Sequence, residues 1–347
     1  MPEAFGGNGL LQCAAMLDRS RPEGRPHKRA NNPVGSIVFR IHEHHFQVKK
    51  TFREHFGRNA CACGKRCAKS VVCRRKIGTG PSPGYNAGML IDTHCHLTYD
   101  GLWENQQEVV NRAVAAGVDR MITIGTHPAD HILARQASQA DPHVFLALGF
   151  HPHHAAEITP ADVSELESSV KTASKLVAVG ECGLDYHGHS SAVNVQKAIF
   201  RSQLELAQRL GKPVILHVRD AHDDALEIMA DFGSVKRVVH CFTGTAREAE
   251  CWIELGAYLG FTGIVTYKNA PFVREAARIV PEDRFVVETD SPYLSPQPVR
   301  KFKINEPAHV VHVADQIARE RNCSISDIHR ISTANAVRLF GPSLIAD

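Results

Sequence analysis

From residue 89 onward, short apolar runs alternate with longer stretches of helical spacing. The runs 89–92, 120–125, 144–151, 176–183, 214–219, 238–243, 257–263 and 285–290 have strand length and are bounded by polar or glycine-containing segments. Between them apolar residues recur at helical period. Over Val193–Leu210, for example, Val195, Ile199, Leu204, Leu206 and Leu210 fall mainly on one side. Eight strand and helix units over about 250 residues predict an α/β fold, a (β/α)8 TIM barrel. A doubly wound open sheet is the competitor. No Gly-x-Gly-x-x-Gly follows the first run, however, and polar residues close runs all around the pattern rather than at one crevice.

Residues 1–88 show no such period. They are rich in Gly, Pro, Asn, Arg and His, and they end in the linker-like Gly78-Thr79-Gly80-Pro81-Ser82-Pro83-Gly84. The net charge of +3 conceals a split, because residues 1–88 carry 16 Lys/Arg against 5 Asp/Glu and the remainder 24 against 32. A stretch with no apolar face cannot offset its own ordering entropy, so residues 1–88 are expected to be a disordered basic extension and residues 89–347 the folded domain. Met89 is the first residue of the first run, which makes a start assigned too far upstream the leading expectation and a natural nucleic-acid-binding arm the second. Cys61, Cys63, Cys67 and Cys73 cluster without the paired Cys-x2-Cys spacing of a zinc knot. Cys95, Cys182, Cys241, Cys251 and Cys323 are scattered and odd in number, as suits reduced thiols in the cytoplasm. No apolar run approaches the roughly 20 residues of a membrane span.

A barrel of this kind places its active site at the C-terminal strand ends, so the residues that close each run carry the chemistry. They are His94 and His96 with Asp92 behind them, His151 and His153, Glu181 and Asp185, His217 and Arg219, His240, and Asp290. Four imidazoles (His94, His96, His217, His240) and two carboxylates (Glu181, Asp290) are too many for one catalytic ion that must keep an open position. They suit two divalent ions about 3.5–4 Å apart with a carboxylate between them. Glu181, midway round the barrel, is placed to bridge. Nitrogen-rich ligation favours Zn²⁺ or Mn²⁺, with Mg²⁺ a further possibility. Such a pair would acidify a water and clamp a phosphoryl oxygen, with Glu181 and Asp290 as the catalytic carboxylates and Asp290 the candidate base.

The set Asp92-Thr93-His94-Cys95-His96, Gly149 to His153, Glu181-x-Gly183-Leu184-Asp185-Tyr186, His217-x-Arg219, His240-Cys241-Phe242-Thr243-Gly244 and Glu288-Thr289-Asp290-Ser291-Pro292-Tyr293-Leu294 resembles the TatD family of metal-dependent hydrolases, in matching order over residues 89–340. The resemblance implies a TIM barrel with metal-dependent deoxyribonuclease activity, often exonucleolytic. It also implies that His94, His96, Glu181 and Asp290 hold one ion, and Glu181, His217 and His240 the other. Asp92, His151, His153, Asp185 and Arg219 would then surround the ligands or touch substrate. One departure stands out. Where the family shows Arg-Gly-Lys-x-Asn-Glu-Pro, Lys301 and Phe302 take the Arg and Gly positions before Asn305-Glu306-Pro307, so a forked phosphate grip becomes a point charge, with Arg300 as a neighbouring substitute.

The leading expectation is thus a hydrolase of DNA phosphodiester bonds, with nucleic acid as its partner, no obligate protein partner and a monomeric state. The alternative is a deacylase or amidohydrolase of another ester or amide, such as a misacylated D-aminoacyl-tRNA, because a metal-activated water attacks carbonyl and phosphoryl centres alike. A binding protein with a dead site is disfavoured because no candidate ligand is missing. The acidic balance of residues 89–347 argues against extended duplex binding, whereas a strand end fed to the metals past Arg219, Lys301 and Lys303 needs only local cations.

Overall fold

The structure, a computed structural model, describes residues 89–187 and 191–345; the basic stretch 1–88 and its cysteine cluster lie outside the described residues. Eight strands run parallel and in sequence order through one sheet. They are β1 (Leu90–Cys95), β2 (Val118–Gly125), β3 (Val144–Leu148), β4 (Leu176–Asp185), β5 (Val214–Arg219), β6 (Arg237–Val239), β7 (Tyr258–Phe261) and β8 (Phe285–Val287). After β1 to β7 come α1 (Gln106–Ala115), α2 (Pro128–Ala140), α3 (Pro160–Thr172), α4 (Val193–Leu210), α5 (His222–Ala230), α6 (Ala246–Glu254) and α7 (Pro271–Ile279); α8 (Val310–Arg321) and α9 (Ile325–Phe340) follow β8. Prolines open α2, α3 and α7, where a missing amide proton costs nothing, and reciprocal side-chain caps (Thr159 with Asp162, Thr245 with Glu248) fix the starts of α3 and α6. This is the expected (β/α)8 barrel.

Strand ends depart from the sequence pattern in both directions: β1 and β4 run two to three residues past the expected runs, to Cys95 and Asp185. β3, β6, β7 and β8 stop two to four residues short of the apolar runs that announced them, at Leu148, Val239, Phe261 and Val287. The remaining residues leave the ladder to aim side chains into the mouth; Cys241 (φ 46°) and Asp290 (φ 54°) adopt left-handed backbone, which no strand continues through. α4 has the expected bounds, and its buried residues are Gln196, Phe200, Gln203, Leu204, Leu206 and Ala207, with Val195, Ile199 and Leu210 half-buried. Apolar spacing found Leu204 and Leu206 but not the whole face, because two of its residues are glutamines that bond to loops.

Two apolar layers result. Outward-facing strand residues such as Met121, Leu146 and Leu216 pack on the helices, while Ile91, Ile122, Phe145, Ile215 and Val286 fill the barrel with Ala336, Leu339 and Phe340 of α9. α9 therefore plugs the bottom. It also fastens the seam between first and last strands from below, through Thr333 Oγ1 to Met89 O (2.9 Å) and Asn335 Nδ2 to Phe285 O (2.7 Å). At the top the seam closes through backbone, with Asp290 N donating to His94 O (2.9 Å) and His96 N to Ser291 O (2.7 Å).

Candidate metal centre

The ladder breaks where β1 and β4 deliver side chains of metal-ligand type. Between β1 and β2 the register slips from Asp92–Met121 to Cys95–Thr123, so Thr93 and His94 face a single partner residue. Between β4 and β5 it slips from Val179–Val214 to Cys182–Leu216, around Gly180 and Glu181. A bulge of this kind re-aims a side chain that strict alternation would misdirect. Gly180 (φ 148°) and Gly183 (φ 149°) make the second break possible. A Cβ on Gly180 would lie 2.7 Å from Ile215 O, and one on Gly183 would run into His217 O.

All six expected ligands meet at this mouth. His94 Nε2 and His96 Nε2 are 3.3 Å apart, and they lie 3.7 and 3.4 Å from Asp290 Oδ1. Glu181 stands between two imidazole groups. Its Oε2 is 3.5 Å from His94 Nε2, while its Oε1 is 2.6 Å from His217 Nδ1 and 2.9 Å from His240 Nε2. The His94 and His240 rings stack at 3.8 Å. Burial would raise the Glu181 pKa, but the charges of His240 and His151 and the bond with His217 outweigh it and hold the carboxyl well below its usual range. Burial likewise would raise Asp290, but the His96 contact and the charges of His240 and His94 together hold it down. Both carboxylates are thus held toward the charged form that a cation would need. A metal fits this donor set: ring nitrogens His94 Nε2, His96 Nε2 and His240 Nε2 converge on carboxylate oxygens in a buried pocket, and two triads, His94-His96-Glu181 and His151-Glu181-His217, each hold three donor atoms within 4.8 Å.

The surrounding residues divide by what they touch. Asp185 accepts from His153 Nε2 (2.8 Å) and His217 Nε2 (3.2 Å), which fixes the His217 ring with Nδ1 facing Glu181. His151 Nε2 lies 3.2 Å from His217 Nδ1 and 3.8 Å from Glu181 Oε1, nearer the donors than its place in the sequence suggested. Asp92 lies below the mouth, accepting from Thr289 N (2.9 Å) and Thr289 Oγ1 (2.6 Å), and burial pushes its carboxyl up to about 8. Arg219 ends β5 at the rim, where its carbonyl accepts from Tyr186 N. Arg300 and Lys301 are exposed beyond β8, with the Arg300 guanidinium 4.0 Å above the Tyr267 ring and Lys301 Nζ 5.2 Å from the Phe302 ring.

Sequence reasoning missed the residues that brace this mouth. Gln196 accepts from Asp185 N and donates to Asp185 O, Gln203 clamps both backbone groups of Phe150, and Asn305 Nδ2 donates to Thr289 O and Tyr293 O. Glu288, fully buried, accepts from Cys241 N (2.5 Å) and faces His240 Nδ1 at 3.4 Å; Gly260 gives it room, since a Cβ there would lie 2.5 Å from its carboxylate. The available signal was glutamine at i and i+7 on a helix and a carboxylate two residues before Asp290.

Comparison with known proteins gives a consistent picture. A family model described as TatD related DNase matches residues 91–341. An uncharacterized metal-dependent hydrolase of Bacillus subtilis, YabD, is 38% identical over 254 residues, covering 73% of this chain and 99% of its own length. The 3'-5' ssDNA/RNA exonuclease TatD of Citrobacter rodentium is 34% identical over 261 residues, covering 74% and 99%. Among solved structures, the TatD homologue YjjV of Escherichia coli K12 superposes with a TM-score of 0.70 at 28% identity, covering 74% of this chain and 99% of that one.

Proposed function

Because the chain belongs to the TatD family of metal-dependent hydrolases, and is thus an enzyme acting on ester bonds, we propose that it cleaves DNA phosphodiester bonds at a strand end, using two divalent ions. The observation that carries this reading is Glu181, a single buried carboxylate whose two oxygens face separate imidazole groups. In this proposal His94, His96, Glu181 and Asp290 hold one ion, and Glu181, His217 and His240 the other, with His151 beside the second. The exonuclease relative from Citrobacter rodentium favours a nucleic acid substrate. The imidazole-rich set favours Zn²⁺ or Mn²⁺ over Mg²⁺. When bound, such ions acidify a water and withdraw charge from a phosphoryl oxygen.

The chain's own groups do the rest. Asp290, ionised and on a left-handed turn whose amide is bonded to His94 O, takes the proton from the attacking water. Asp185 orients His217 through Nε2, and Glu288 steadies the turn at Cys241 that follows His240. Arg219, Arg300 and Lys301 supply local cations for substrate phosphates, and Tyr293, half-exposed and edge-on to His96 at 6.4 Å, offers an apolar wall beside them. We further place the enzyme in the cytoplasm, where its described cysteines, all free thiols, stay reduced. No helix among the described residues is long and apolar enough to cross a membrane.

One assay panel tests this reading. The metal-stripped protein, reconstituted with Zn²⁺, Mn²⁺ or Mg²⁺ in turn, is offered end-labelled single-stranded DNA, duplex DNA, RNA and a D-aminoacyl-tRNA. Progressive shortening of a DNA strand is expected. Release of the amino acid with every nucleic acid chain left intact would replace the nuclease reading with a deacylase.

A further inference from the structure

A second constellation of ligand-type side chains sits at the rim, apart from the centre. His127 begins α2 as its N-cap residue, and His154 and Glu157 lie on the short 3₁₀ helix Pro152–Glu157 between β3 and α3. Their donor atoms all lie within 4.8 Å of one another. Each Glu157 oxygen faces one ring, Oε2 at 3.4 Å from His127 Nε2 and Oε1 at 3.5 Å from His154 Nδ1, and the two rings are 4.9 Å apart. His154 Nδ1 is buried and has no hydrogen-bond partner, although its neighbour on the chain, His153, is fully engaged with Asp185. A buried ring nitrogen left unpaired beside a carboxylate asks for a cation or a donor.

We propose that His127, His154 and Glu157 form a peripheral site for a borderline divalent ion of the Zn²⁺ class, which clips the loop after β2 to the loop after β3. Two imidazoles and one carboxylate select zinc, cobalt or nickel over magnesium or calcium, and solvent completes the coordination. The clip acts on a sensitive place. The turn it would hold carries His153 and follows His151, and Thr126, preceding His127, bonds to Tyr99, whose ring stacks on His96 at 4.7 Å. Coordination through Nε2 leaves the His127 ring proton on Nδ1, so the 3.4 Å cap bond from Ala129 N must open. That bond is long, and the Pro128 at the first helical position already removes one orphan amide.

The full-length, tag-free chain is stripped of metal, titrated with Zn²⁺ and assayed for bound zinc per chain, beside His127→Gln/His154→Gln and Glu157→Gln. The double variant is expected to bind one zinc equivalent fewer than wild type, with hydrolysis by the loaded centre unchanged. Because His127 caps a helix, Glu157→Gln serves as the variant that alters only an exposed side chain. It should keep the equivalent but bind it on the order of tenfold more weakly, as loss of even an outer partner does. Equal zinc content and equal affinity in all three proteins would overturn the site and leave Glu157 as a neighbour of two histidine rings only.

Discussion

The backbone amide of Asp290 donates to the carbonyl of His94 at 2.9 Å, so the segment after the last strand is joined to the first strand by the same residues whose side chains converge at the candidate metal centre. Seam and site are therefore one construction. Whatever moves His94 relative to Asp290 also opens the barrel, and whatever ligates both side chains holds it shut.

Replacing Glu181 and Asp290 should have separable effects. Glu181→Ala removes the carboxylate shared by both imidazole groups and should lose bound metal together with hydrolysis. Asp290→Asn should retain much of the metal, yet slow single turnovers by about 10²–10⁴-fold, because an amide cannot take the proton. Metal content and single-turnover rates are to be measured on the same samples; full activity in Glu181→Ala would sink the bridging assignment.

The exposed cations after β8 should govern salt dependence. If Arg300 and Lys301 grip phosphates, their double replacement by Ala weakens single-stranded DNA binding and flattens log K against log salt by up to about 1.4, roughly 0.7 per contact. Metal content should not change. An unaltered slope would reduce Arg300 to its contact with Tyr267 and Lys301 to a solvated side chain.

Gly260→Ala tests the support behind His240. The new methyl would lie 2.5 Å from a Glu288 oxygen, so the carboxylate must shift off Cys241 N. A stability loss of about 1–3 kcal/mol, the usual cost of overpacking, is expected in chemical denaturation, with weaker zinc affinity alongside. Wild-type stability would show that the carboxylate has room to spare.

His131 supplies a pH dependence remote from the proposed ligands. Burial lowers its pKa from 6.5, against the opposing bond from Nε2–H to Gly149 O (2.8 Å). The folded ring therefore stays neutral where the unfolded one takes a proton. Stability contributed here is complete above about pH 6.5 and falls as pH drops from there toward the depressed folded value. His131→Gln keeps a donor without titrating. The wild-type-minus-variant difference in unfolding free energy should be flat above that pH and decline below it; a difference independent of pH would mean that the ring is not held neutral.

Residues 89–347 should fold and hydrolyse substrate with kcat close to that of the full chain. β1 starts at Leu90, and the bond from Thr333 to Met89 O anchors the strand at that point. Circular dichroism and steady-state rates on both lengths decide this, and failure of the shorter chain to fold would show that upstream residues belong to the domain.

The barrel was legible because most strands are buried on both faces and so read as continuous apolar runs, and the candidate centre was legible because residues of ligand type close those runs. Alternation, by contrast, could not show how His94 and Glu181 are aimed. Each sits at a register break, and a break is a relation between two strands that neither strand's own sequence displays. The bracing residues were hidden for a related reason. Gln196 and Gln203 read as the wet side of a helix until the loops that consume their hydrogen bonds are in place. The pairing of Glu157 with His127 and His154 joins two loops whose nearness only the closed barrel creates.

The plug formed by α9 also imposes an order on biosynthesis. A nascent chain that has cleared Asp290 already owns all six candidate ligands, yet the inner faces of its strands lie open until residues 325–340 emerge, roughly 3–10 s later at about 5–20 residues per second. Thr333 must then find a carbonyl 244 residues behind it. During that interval the ligands are exposed to whatever metals and holding factors the ribosome's surroundings provide. Chains arrested before and after α9 should differ sharply in protease resistance, and the metal centre should gain its final geometry only in the second.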